Sequence, residues 1–399
     1  MYSKKRVYSI IFITFVLTTA LYTSAIAFVP SLDSFLGSIR TILDRNDNLG
    51  ARLNEINSYV DNYFINDYDK EKMADNALEG YVSALNDPYT EYISKSEYKE
   101  FMSELTGNYK GIGVEVYVDT DGYITVLSAF DDSPASNAGI LPGDKIVGVN
   151  DTAVNIDNYN EAINMMRGIG EYGKTDDMTL TILRGSKKIK VDITRTEVVN
   201  QTVKTKMLDN NIGYVRISQF DDDTGTDFSR LTDNLIADGA KSLIIDLRDN
   251  PGGVLTGVVN VADKLLGKGK IITIKEKSGK ETVYNSDKNE VDLPMCVLIN
   301  RNSASASEVL AGALKDHKKA TLVGEKSFGK GIVQTIFDLS DKSALKITTA
   351  KYYTPNGTCI HGKGIQPDYK VELNADKNIM ALDASEDTQL QKAIEILSK

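Results

Sequence analysis

Asn302-Ser303-Ala304-Ser305-Ala306-Ser307-Glu308 and, downstream, Phe328-Gly329-Lys330-Gly331-Ile332-Val333-Gln334 are the two stretches from which the rest of the chain can be placed. The first follows Met295-Cys296-Val297-Leu298-Ile299, an apolar run bounded by Pro294 and Asn300 that reads as a buried strand. It precedes Val309-Leu310-Ala311-Gly312-Ala313-Leu314, whose Ala and Leu content and helical spacing predict a helix packed on a sheet. The serines therefore fall at a strand-to-helix turn. The first N–H groups of a helix lack intrahelical partners and favour negative charge, so such a turn suits a nucleophile and the oxyanion it generates. The same letters, Ser305-Ala306-Ser307-Glu308, also spell a capping box, in which a serine hydroxyl and a glutamate three residues on satisfy each other's amides.

Histidine supply limits the chemistry. The chain has only His317 and His361, and neither lies in a catalytic or metal-binding signature. A nucleophile at Ser305 then looks to lysine for its base, because desolvation lowers an amine's pKa toward neutrality. Lys330 stands between two glycines with Phe328, Ile332 and Val333 close by, which predicts a mostly apolar slot for its head. Gln334 would share its face in a strand, but positions four apart in a strand lie about 13 Å apart, so contact requires a bend at Gly331. Two competing signals share this lysine. Gly324 to Lys330 spells most of a Walker A loop, yet Gly331 follows where a Ser or Thr would hold magnesium, and the residues after it are β-branched. Ser327-Phe328-Gly329-Lys330 spells S-x-x-K, a motif that belongs on a helix, which the flanking glycines oppose.

Ser303-Ala304-Ser305-Ala306-Ser307-Glu308, the Phe-Gly-Lys-Gly element, Gln334, and Asp246-Leu247-Arg248-Asp249-Asn250-Pro251-Gly252-Gly253 together resemble the C-terminal processing (tail-specific) serine peptidases. The resemblance extends over most of the chain beyond residue 50. It implies a serine endopeptidase in which Ser305 is the nucleophile, Lys330 the base and Gln334 the residue that orients it. The oxyanion donors it implies are the amides of Ala306 and of the Gly252-Gly253 turn. Neither a cofactor nor a metal enters this chemistry.

The 399 residues, 41% of them hydrophobic, suffice for two or three domains, and a net charge of -10 argues against a nucleic-acid partner. Two cysteines, Cys296 and Cys359, permit at most one bridge and no zinc pattern. Lys4, Lys5 and Arg6 precede an uncharged apolar run from Val7 to Val29, and no Lys or Arg follows until Arg40. That asymmetry predicts a cytoplasmic N-terminus with the rest outside the cell. Residues 1–30 are thus either a signal segment removed near Ala25-Ile26-Ala27 or an uncleaved membrane anchor of about 20 residues.

Residues 31–105 show helical spacing at Leu53, Ile56, Val60 and Phe64 and again at Met73, Ala77 and Tyr81. The turn Leu85-Asn86-Asp87-Pro88-Tyr89-Thr90 follows and is close to an L-D-P-Y-T signature of the resembled family, in which this region contributes to homodimer formation. Residues 106–195 change to short strands and turns. Gly111-Ile112-Gly113-Val114, Ser133-Pro134-Ala135 and Gly143-Asp144-Lys145-Ile146-Val147 resemble a PDZ domain, whose Gly-rich loop offers N–H groups to the carboxylate of a peptide with an apolar C-terminus. Ile169 to Asp177 departs from the resembled family in being longer than its usual turn. From residue 196 to 399 strands and helices alternate, which predicts an α/β core, and the resemblance implies a crotonase-like layout. The expected protein is an anchored, extracytoplasmic endopeptidase with an inserted PDZ domain. The rival is an inert scaffold that only grips peptide C-termini.

Overall fold

The computed structural model describes residues 49–106, 108–119, 121–130, 132–373, 379, 382 and 384–398. The segment expected to be a signal or anchor lies outside the described residues. The chain divides into two compact units, residues 1–73 and 74–399.

In the first unit, α1 (Leu49–Tyr63) has no buried residue, and Leu53, Ile56, Tyr59 and Tyr63 along it are exposed. Asp61 binds Lys70 at 2.6 Å and the Tyr68 hydroxyl at 2.5 Å, which ties the end of α1 to the first turn of α2 (Lys70–Ser83). The second unit continues with the rest of α2, β1 (Glu91–Ile93) and α3 (Lys95–Thr106). Strand β1 joins the core by pairing antiparallel with residues 344–346.

The segment expected to form a PDZ domain folds as a sheet of β3 (Val114–Val118), β4 (Ile124–Ala129), β5 (Lys145–Val149), β7 (Asp177–Arg184) and β8 (Lys187–Thr194), with β6 (Thr152–Ala153) beside β5. Helix α4 (Tyr159–Arg167) closes its core of Ile124, Ile146, Leu180, Ile182, Ala162 and Met166. The chain enters on β2 (Asn108–Gly111) and leaves on β9 (Thr196–Val199), which pair antiparallel as a two-stranded stem. The long turn after α4 coils into a 3-10 helix, Gly170–Lys174. Buried Arg195 holds that turn by donating to the carbonyl oxygens of Met165, Tyr172 and Thr175. Lys204, on β10 (Val203–Leu208) of the following core, donates to Glu115 at 2.5 Å and Ser128 at 2.6 Å and so fastens this sheet to its neighbour.

The core carries a six-stranded sheet in the order β10, β11 (Ile212–Ile217), β12 (Ser242–Asp246), β15 (Met295–Ile299), β16 (Thr321–Gly324), β19 (Tyr369–Lys370). All neighbours are parallel except β10 and β11. The central strands read as unbroken apolar runs because both faces are covered. Leu243, Ile245, Val297 and Ile299 pack under α5 (Thr224–Ala237), α6 (Leu255–Leu265) and α7 (Ala306–Asp316), whereas Ile244, Cys296 and Leu298 meet α8 (Thr388–Leu397). A second sheet holds β13 (Gly269–Glu276), β14 (Glu281–Ser286), β17 (Ile332–Asp338) and β18 (Ala344–Tyr353), with β1 on its edge. Both cysteines are free. Burial pushes the Cys296 thiol up to about 12.

Candidate active site

The three serines have different fates. Ser303 and Ser307 are fully buried, and their hydroxyls donate to the carbonyl oxygens of Leu247 at 2.8 Å and Asn250 at 2.9 Å. Ser305 is only half-buried. Its backbone, at φ 54° and ψ -114°, lies where L-residues are strained, at the turn from β15 into α7. Ser305 and Glu308 form the expected capping box, in one half of which the Glu308 N–H turns back to Ser305, whose carbonyl oxygen also lies 2.9 Å from it. The other half is as expected, with the Glu308 carboxylate accepting the Ser305 N–H at 3.0 Å.

The glycine turn is stitched onto this serine segment by Asn250. Its carbonyl oxygen accepts from the Ala304 N–H at 3.0 Å and from the Ser307 hydroxyl, while its side chain accepts the Gly252 N–H at 2.8 Å and donates to the Ile217 carbonyl oxygen at 2.9 Å. The approach is so close that a Cβ on Gly252 would lie 2.8 Å from the Cβ of Ser305 and 2.9 Å from the nitrogen of Ala306. With φ at +105°, only glycine suits the position. Ala306 begins α7, so its N–H has no intrahelical partner. Since Asn250 engages the Gly252 N–H, Gly253 is the residue of the pair whose N–H is not spent on that side chain.

Glu308 is the residue whose importance sequence reasoning understated. Fully buried, it accepts four hydrogen bonds: from Ser305 N, from the Ser327 hydroxyl at 2.6 Å, from Gly329 N at 2.7 Å and from Lys330 N at 2.8 Å. Burial pushes its pKa up, against the pull of those four donors. Tyr352 makes a second tie, its hydroxyl donating to the carbonyl oxygens of Ser305, at 2.9 Å, and of Lys330. The capping-box spelling signalled the bond to Ser305; the links to residues 327–330 carried no sequence signal, because they join segments about 20 positions apart.

The surroundings of Lys330 differ from the expected slot. Phe328, expected as part of that slot, is 56% exposed. Instead the Lys330 Nζ sits 4.7 Å from the centroid of the Tyr89 ring, supplied by the Asp87-Pro88-Tyr89-Thr90 turn far upstream. Burial pushes its pKa down and Lys346 pushes the same way, while Glu91 and Asp87 oppose them. Gly331 is required by crowding, since a Cβ there would lie 2.5 Å from the backbone nitrogen of His361. The irregularity in β17 falls between Val333 and Gln334, two residues beyond the expected bend. Gln334 donates to the Thr348 hydroxyl at 3.2 Å, and Thr348 N donates to the Thr90 hydroxyl at 3.1 Å. Among the described residues no hydrogen bond joins Lys330 to Ser305 or to Gln334. The loop leads into a strand, as neither a Walker A nor a helical S-x-x-K element would.

Of the four loop residues, Ile112, Gly113 and Val114 line a cleft of about 380 Å³ between β3 and α4 that Ser218 and Gln219 of the core also line, whereas Gly111 ends β2 and does not line it. The carbonyl oxygens of Ile112 and Gly113 accept the amides of Ala135 and Phe130, both at 2.9 Å. Strand β3 is the last in its sheet, so its outer edge is open to an added strand.

An accessible serine in a strained turn, a half-buried lysine and an open-edged cleft fit the class of PDZ-bearing serine proteases. Residues 211–371 match the model of peptidase family S41 and residues 111–194 that of the PDZ domain. The chain is 35% identical over 384 residues to the carboxy-terminal processing protease CtpA of Bacillus subtilis (strain 168), an alignment covering 95% of this chain and 80% of that protein. A CtpA-like serine protease assigned in Staphylococcus aureus (strain MSSA476) is 35% identical over 399 residues, covering 96% and 78%. An S41 protease structure from Bacteroides fragilis NCTC 9343 shares the fold, with a TM-score of 0.58, 16% identity and coverage of 80% and 90%. The chain belongs to peptidase family S41, among its carboxy-terminal processing serine proteases.

Proposed function

We propose that this protein is a tail-recognising serine endopeptidase in which Ser305 and Lys330 form the catalytic dyad, with Gln334 orienting the lysine. The observation that carries the reading is the backbone tie between the two: Glu308 and Tyr352 each bond both residues, which holds the two segments side by side. Neutral Lys330 takes the Ser305 proton as the hydroxyl oxygen attacks a peptide carbonyl carbon. The oxyanion is held by the N–H groups of Ala306 and of the Gly252-Gly253 turn, that of Gly253 being the more available, and each such donor contributes about 3 kcal/mol. The lysine passes its proton to the departing amine, then draws one from water as that water attacks the acyl-enzyme, and returns it to the Ser305 oxygen as the acyl bond to that oxygen breaks. For this the lysine head must come within hydrogen-bond reach of the Ser305 hydroxyl.

The Gly111–Val114 loop and the open edge of β3 support capture of substrates by an apolar C-terminal tail. The basic Lys4-Lys5-Arg6 followed by an apolar run supports a membrane-attached, extracytoplasmic enzyme with residues 1–30 as signal or anchor. Exposed Leu53, Ile56, Tyr59 and Phe64 support self-association through the N-terminal helices. A core similar in layout to crotonases accords with the alternating strands and helices. The test is turnover of an unfolded protein with an apolar C-terminus by purified Ser305→Ala and Lys330→Ala variants. Both are expected to be inactive and folded. Cleavage by either would refute the dyad, and binding without cleavage by the wild type would favour the inert scaffold.

A further inference from the structure

We propose that Tyr89 is a positioning residue for the lysine: its ring face docks the charged head of Lys330 in the resting enzyme and thereby opposes that head's conversion to a free base. The inference rests on the reading of Lys330 as base, and it concerns a residue that precedes the peptide-binding domain in the chain.

The ring is placed independently of the lysine. Asp87 accepts the Tyr89 N–H at 3.2 Å and the Thr90 hydroxyl at 2.6 Å, which rigidifies the turn. The Thr90 hydroxyl accepts from Thr348 N on β18, and Glu91 to Ile93 then pair with Lys346 to Ala344 of the same strand. Tyr89 is thus bolted to the strand whose Thr348 also bonds Gln334. An ammonium 4.7 Å from a ring centroid is within the range where the negative face of the π system attracts it, and the attraction is greater when the cation is partly desolvated. A neutral amine gains far less, so the contact favours the protonated form. The other charged groups acting on this head are Lys346 on β18, which opposes its charge, and Glu91 on β1 and Asp87 in the turn, which favour it. His361, whose backbone crowds Gly331, acts on Asp87. The ring therefore holds the amine in the form that cannot take a proton from Ser305.

The experiment measures kcat/KM against pH for the full chain, using a fluorogenic peptide with an apolar C-terminus, and in parallel the rate of inactivation by a fluorophosphonate, which reports on the serine without the substrate. Tyr89→Leu is expected to move the acid limb of both profiles down by about half to one pH unit. Tyr89→Phe, which keeps the π face, should leave the limb in place. Fluorinated phenylalanines at position 89 keep the shape while emptying the ring face, and should move the limb further with each fluorine. A limb that stays put across the fluorinated series overturns the proposal, even if the leucine variant fails to fold. Retained cleavage by Lys330→Ala would instead sink the dyad itself, a result the Tyr89 variants cannot produce.

Discussion

The Glu308 carboxylate lies 2.8 Å from the amide nitrogen of Lys330, and the same oxygen accepts the amide of Ser305 at 3.0 Å. One buried atom thus fixes the main chains of the candidate nucleophile and base relative to each other. Its partner oxygen accepts from the Ser327 hydroxyl and the Gly329 N–H, so all four contacts are made as an acceptor.

Glu308→Gln should for that reason be harmful although it is nearly isosteric. Turned one way, its NH₂ faces the N–H groups of Ser305 and Lys330; turned the other way, it faces the Gly329 N–H and a Ser327 hydroxyl that must stop donating in order to accept. We expect a loss of about 1–3 kcal/mol, and about 3 kcal/mol or more for Glu308→Ala, which orphans all four. Loosening the serine against the lysine should lower kcat/KM on the order of a hundredfold. Thermal melts and steady-state kinetics on the same samples check both.

Ser305→Gly should abolish cleavage and yet stabilise the protein. The strained φ of 54° costs about 1–3 kcal/mol in a residue with a Cβ, partly offset by glycine's greater freedom in the unfolded chain. A net gain of about 1 kcal/mol over Ser305→Ala is expected in urea unfolding. Equal stability of the two variants would mean the turn is not strained.

Lys330→Met should inactivate the enzyme and raise its Tm at neutral pH. Burial, the main cause, holds the folded-state pKa below the ordinary 10.5, so between the two values the unfolded chain binds more protons than the folded one. Stability is therefore lost as pH falls through the folded value and recovered as pH rises toward the unfolded one. The advantage of methionine should shrink along the same interval, which a series of melts from pH 7 to about 10.5 would reveal.

Asp387→Ala should cost about 3–5 kcal/mol, because it leaves a buried guanidinium half-paired. Arg248 is 1% exposed and is clasped by Asp246 at 2.6 Å and Asp387 at 2.8 Å. Burial raises the Asp246 pKa, but Arg248 outweighs it and holds the carboxyl below its ordinary range. That contribution is present at neutral pH and disappears as acid titrates the folded carboxyl, so the wild type should unfold cooperatively in acid and the variant at higher pH. Circular dichroism across pH follows both.

Much of the protein was legible in order along the chain. Met295 to Ile299 and Ser242 to Leu247 announce parallel strands because two covered faces demand uninterrupted apolar residues. The serine turn and the Phe-Gly-Lys-Gly element were legible as motifs, and the glycines beside them mark where backbone meets backbone. What misled was proximity in sequence: Phe328 next to Lys330 suggested a wall, yet the ring that meets the lysine head is that of Tyr89. Likewise, the bend expected at Gly331 falls beyond Val333, where pairing with β18 sets the register.

The sequence by itself therefore determined the elements, the family and which residue types are available for chemistry, since those depend on local periodicity and on short motifs. Only the tertiary structure decided that Ser305 is the accessible serine of three, that Glu308 joins it to the lysine loop, and that a turn before the peptide-binding domain supplies the surface under Lys330. Burial and long-range hydrogen bonding are properties of the packed chain, and no window of neighbouring residues contains them.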